Sequence, residues 1–210
     1  MKINKNLITS TLLFLVPAML PFQVKYGNIA LIIAVSCTII FLKKEQIKKL
    51  KLLPFLFPLL FFLIAVASSL FSKNSYGIKH LDLDLLIVLS AFVCLSQTIS
   101  KELIIKIMAT LYIASIVATS ILLFNNLFKV IDGGGLNQLI FHNFTALYDQ
   151  HPVYFAMYLS LALFYAFTYK FKGLLVPVPQ IIGNGILIVG ILLCASKAVI
   201  GITLLWFGLY

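Results

Sequence analysis

Arginine is absent from this chain of 210 residues, and its acidic residues number six against sixteen lysines. Without a guanidinium, planar bidentate recognition of phosphates or carboxylates is excluded. Six carboxylates leave a formal net charge of +10. Cysteine is equally scarce. Cys37, Cys94 and Cys194 stand singly inside apolar stretches with no CxxC spacing, which argues against a disulfide framework or a zinc site; they read as small core residues. The chain also lacks any polar, low-complexity or charge-rich block long enough to form a soluble domain.

What fills the chain instead is apolar. Hydrophobic residues make up 62% of it, and the mean hydropathy is +1.10. Long uncharged windows lie at 6–24, 26–42, 52–72, 85–100, 107–128, 150–169 and 173–196, with a last one at 198–210. A bilayer-spanning helix needs about 20 apolar residues, with about 17 tolerable. These windows predict an all-α, polytopic helical membrane protein over 1–210, with about seven full spans and a truncated eighth. The last window suggests that the sequence continues beyond residue 210 in a longer protein. Pro17, Pro21 and the lack of a small-x-small cleavage pattern favour a retained first span over a signal peptide.

The lysines sit between the windows, so the basic balance predicts membrane topology rather than nucleic-acid binding. Lys43, Lys44, Lys48, Lys49 and Lys51 form one dense cluster and mark that loop as cytoplasmic. Alternation then places Lys2, Lys5, Lys101, Lys106, Lys170 and Lys172 inside too. Lys25, Lys73, Lys79, Lys129 and Lys197 fall outside, and the N-terminus is cytoplasmic. Asp82 and Asp84 are expected in the first turn of a helix, where carboxylates complement the positive helix end.

The longest polar interruption, 129–150, is an outer (periplasmic) loop in this reading. It carries Gly133-Gly134-Gly135, Asn137, Gln138, His142, Asn143, Tyr148, Asp149 and Gln150. Such a loop is either a connector or a functional segment held on a rigid frame. His151-Pro152 follows and opens a helix, since proline suits the first helical position and pushes its predecessor out of helix. Near the other end, Lys197 is the sole charge between Gly173 and Tyr210. Either a helix break falls at Ser196-Lys197, with Ser196 as N-cap, or one tilted helix runs over 180–210. Its length, about 30 residues, favours the break.

Two helices starting outward at His151 and Ser196-Lys197 would both present positive N-terminal ends to the same side. Free N–H groups, a lysine and a histidine there suit a phosphate or diphosphate. The competing reading makes His151 an interfacial cap and lets Lys197 snorkel to headgroups.

At these residues the chain resembles the O-antigen ligase and polymerase family of bacterial envelope proteins. The matching stretches are His151-Pro152-Val153-Tyr154-Phe155-Ala156 and Leu192 to Gly201, with its Ser-Lys pair. The resemblance covers roughly the N-terminal half of a family member. It implies a membrane enzyme of the bacterial inner membrane. Such an enzyme transfers a glycan from an undecaprenyl diphosphate carrier to lipid A core or another acceptor at the periplasmic face. It implies diphosphate binding by Lys197, Ser196 and His151, a catalytic base beyond residue 210, and neither metal nor cofactor. Lys197 replaces the usual arginine, keeping the charge and losing the fork. The 210 residues alone are then expected to be inactive. A transporter or flippase of lipid-linked sugars, or a non-catalytic membrane assembly protein, are the rival functions. The flippase predicts polar residues along a pathway, and Asn125, Asn126 and Asn184 are the few candidates.

Overall fold

A computed structural model describes residues 14–40, 52–71, 81–96, 100–168 and 177–209, and among them helices and turns account for all regular structure. The helices are α1 (Val24–Ile40), α2 (Leu52–Phe71), α3 (Leu81–Ser96), α4 (Lys101–Lys129), α5 (His142–Thr145), α6 (Pro152–Thr168), α7 (Pro177–Leu193) and α8 (Lys197–Leu209). The chain divides into two units, one of Met1–Leu15 with Asn28–Leu103, the other of Val16–Gly27 with Ile104–Tyr210.

The expectation of seven full spans is overturned. Among the described residues one helical stretch, Lys101–Gly134, is long and apolar enough to cross a membrane. The other apolar stretches, Lys25–Ile40, Pro54–Ser69, Pro152–Thr168, Val178–Leu193 and Lys197–Trp206, run 10–17 residues. At about 1.5 Å per residue, 17 residues reach roughly 26 Å, short of a hydrocarbon core of about 30 Å. The error is one of measure. An uncharged window counts residues without charge, whereas caps and breakers inside it set the helix length. The window 6–24 shows this: the helix at 14–19 gives way to a turn before α1 begins, and both Phe22 and Gln23 return their N–H to Met19 O.

Inside-outside alternation of the lysines was counted over those crossings. Lys2, Lys5, Lys43, Lys44, Lys48, Lys49, Lys51, Lys73, Lys79, Lys170 and Lys172 lie outside the described residues. Positions 82 and 84 do fall in the first turn of α3, as expected from the sequence.

In the first unit, α2 and α3 pack together, with Phe55 and Phe92 edge to face at 6.1 Å. The second unit holds a buried cluster that includes Tyr112 and Leu122 from α4, Phe144 from α5, Phe155, Leu159 and Leu163 from α6, and Leu187 from α7. Helix α4 starts where Ser100 Oγ accepts the Leu103 N–H at 3.1 Å, an N-cap. It continues into a wider turn at Val130–Gly134. Gly133 (φ 94°) and Gly135 (φ 71°) then end it in the left-handed region, which glycine enters without steric cost. Helix α7 begins at Pro177. Pro177 and Pro179 are tolerated because first-turn N–H groups have no partner within the helix.

Candidate anion site at the shared end of α6 and α8

Helix α6 starts at Pro152, as its proline predicts. The His151 carbonyl accepts the N–H groups of Tyr154 and Phe155 at 3.1 and 3.2 Å, so His151 occupies the cap. Its side chain is exposed.

The break before Lys197 is present. Helix α7 stops at Leu193 and α8 starts at Lys197. Cys194 and Ala195 close the turn with N–H bonds to Gly190 O and Leu192 O, each 3.0 Å. Ala195 takes φ 51°, the left-handed position that glycine usually fills after a helix. The Ser196 carbonyl accepts the Ile200 N–H at 2.9 Å, placing Ser196 at the cap. Ser196 is buried, and Lys197 is exposed. The tilted single helix over 180–210 is thereby replaced by two helices.

Three bonds fix the directions of α6, α7 and α8. Gln180 Nε2, at the start of α7, donates to Ala166 O near the end of α6 at 3.1 Å. The Phe141 N–H, ahead of α6, donates to Leu193 O at the end of α7 at 2.9 Å. Helices α6 and α7 are therefore antiparallel. Helix α8 then turns back, and Ser160 Oγ on α6 meets Thr203 Oγ1 on α8 at 2.9 Å. Counted back along each axis from this contact, Pro152 lies about 12 Å away and Lys197 about 9 Å. The N-termini of α6 and α8 thus lie at one end of the unit.

The segment 136–150 is a folded cap at that end. It is made of Leu136–Leu139 and Ala146–Tyr148, each a tight helical turn, with α5 between them. Side-chain hydrogen bonds hold it. Buried Asn126 donates Nδ2 to Phe144 O at 2.8 Å. Thr145 Oγ1 donates to Gln150 O at 2.6 Å, and Gln150 Nε2 to Leu20 O at 2.7 Å. Tyr148 donates its hydroxyl to Ala118 O at 3.3 Å, and burial pushes that phenol up to about 12. Phe144, Thr145 and Gln150 are the buried anchors of this segment.

Among the described residues, the non-glycine residues at positive φ are Phe141, Asp149 and Ala195. Each stands one or two residues before His142, His151 or Ser196-Lys197. Backbone held in sparsely populated regions gathers at functional sites.

His142 was read from the sequence only as one polar residue of the loop. The fold sets its ring 5.0 Å from the ring of His151 and 4.3 Å from Phe141. Two of the polar residues considered for a pathway have other partners. Asn126 supports the cap, and Asn184 Oδ1 accepts the Tyr112 hydroxyl at 2.9 Å.

Cys194 lies in the α7–α8 turn, fully buried, and burial pushes its thiol up to about 12. At pH 8 roughly one thiol in ten thousand is then ionised, and the thiolate is the reactive form. Maleimide at pH 8 should leave Cys194 unlabelled in the folded protein and label it after denaturation, as read by peptide mass spectrometry. Rapid native labelling would contradict a closed turn.

Comparison of the chain with family models, curated proteins and solved structures gives no match.

Proposed function

We propose that this chain is held in a bacterial inner membrane through the apolar 101–134 segment. There it binds the diphosphate of an undecaprenyl-linked glycan at the shared start of α6 and α8, on the periplasmic face, for transfer to lipid A core or another acceptor. The observation that carries this reading is the convergence of His151 and Ser196-Lys197, 45 residues apart in sequence, at one end of the unit. Lys197 supplies the positive charge, and the two helix ends supply N–H groups facing the same side. The resemblance of both motifs to the O-antigen ligase and polymerase family supplies the glycan chemistry. In this reading the chain holds and positions the donor's leaving group, and activation of the acceptor falls to residues outside it.

The surroundings suit a lipid-borne donor. Ile202, Leu204 and Leu205 on α8 are exposed. Apolar surface of this kind marks contact with lipid or protein. An apolar cavity lined by Leu163, Ile188, Ile191, Ile200 and Leu204 lies among α6, α7 and α8.

Lys197→Ala in the host gene should lower glycan transfer roughly tenfold or more, since a hydrogen bond to a charged group contributes about 1.5–3 kcal/mol. Lys197→Arg should retain most of it. Unchanged transfer in Lys197→Ala, measured by the ladder of glycan-modified acceptor, would show that Lys197 does not hold the donor.

A further inference from the structure

We propose that His142 is a second imidazole of the diphosphate site, acting with His151 as a pair, one ring to each phosphoryl group. This rests on the diphosphate reading above and adds to it a residue that neither helix start supplies. The two rings lie 5.0 Å apart between centroids at 84°, and both side chains are exposed. His142 is held in place rather than trailing. The preceding Phe141 packs edge to face on it at 4.3 Å and also stands 6.4 Å from His151. The Phe141 N–H is fixed on Leu193 O at 2.9 Å, the bond that ties this segment to the turn carrying Lys197.

The ring chemistry agrees. His151 Nδ1 accepts the Val153 N–H at 3.4 Å, so in the neutral ring the proton resides on Nε2. Nε2–H is then the donor left for a ligand, and Tyr154 flanks the ring at 5.8 Å. His142 offers a second N–H donor from a ring whose centroid lies 5.0 Å from that of His151. Lys197 has no partner of this geometry on its own helix, where the following residues are Ala198, Val199 and Ile200. The pair therefore gives the site directional donors that a lone ammonium lacks.

Histidine footprinting separates this inference from the reading beneath it. The full chain in detergent is treated with diethyl pyrocarbonate, with and without inorganic pyrophosphate, and the modified peptides are quantified. The sequence has three histidines, and His80 serves as the reference. Pyrophosphate at about ten times its Kd should slow modification of both His142 and His151 about tenfold, by occupancy, and leave His80 unchanged. Slowing at His151 alone would overturn the role of His142 while the diphosphate reading stands. Slowing at neither would overturn both. As a second arm, His142→Ala should weaken pyrophosphate binding roughly tenfold with an unchanged melting curve; unchanged binding would overturn the pair.

Discussion

Replacing Phe144 with alanine should destabilise the unit of Val16–Gly27 and Ile104–Tyr210 by about 3–5 kcal/mol, the usual cost of emptying a buried aromatic position. Phe144 has no solvent exposure and meets Phe155 of α6 edge to face at 6.3 Å. It belongs to a helix of four residues, far too short to stand on its own propensity. The cap is therefore held by what Phe144 buries and by the Asn126 bond to its carbonyl. Losing the ring removes the burial and loosens that bond, and the Phe141 link to Leu193 lies three residues away. Thermal melting of the purified chain in mild detergent reads the effect. A double-mutant cycle with Phe155→Ala should return a coupling of about 0.5–1.5 kcal/mol from the ring pair. A loss below about 1 kcal/mol for Phe144→Ala would mean that the cap is held by its hydrogen bonds instead.

The starts of α6 and α8 were legible in the sequence. Pro152 opens α6 and the Ser196-Lys197 pair opens α8 because a ring with fixed φ and a capping position act on their own neighbours. Helix length was not legible, because the turn at 20–23 and the stop at Leu193 sit inside windows that carry no charge. The folding of 136–150 was not legible for a different reason. Its anchoring bonds join residues distant along the chain: Asn126 of α4 to Phe144, and Gln150 to Leu20. Such pairings leave no period of 3.6 or 2 to count. The same holds for His142 and His151, nine residues apart with a left-handed Asp149 between them; their meeting depends on that reversal. The candidate site was thus half visible. Its helix starts were written in local motifs, and its second imidazole came from the fold of the cap.

Gly190→Val should lower stability by up to about 3 kcal/mol, the upper part of the range for overpacking a core. A Cβ at Gly190 would lie 2.7 Å from Leu159 Cδ1 on α6 and 2.7 Å from Thr119 Cγ2 on α4. Neither neighbour yields easily. Leu159 is fully buried, and Thr119 is fixed by the bond from its Oγ1 to Ser115 O at 2.7 Å. Two turns earlier on the same face, Gly183 plays the same part against Ile116 Cδ1 and Tyr112 Oη, at 2.6 and 2.8 Å. Side chains of α4 therefore seat against the backbone of α7 along this line. Gly185, between them, has nothing within 4 Å of its Cβ position. Gly185→Ala should leave stability unchanged or raise it by up to about 1 kcal/mol, through helix propensity alone. The contrast extends to function, because α7 ends at the carbonyl that receives Phe141 and at the turn that presents Lys197. A helix pushed off α4 carries that turn with it. Gly190→Val should weaken pyrophosphate binding along with stability, whereas Gly185→Ala should change neither for the worse. If both variants melted alike, the close seat of α7 would be wrong, and with it the route by which packing positions Lys197.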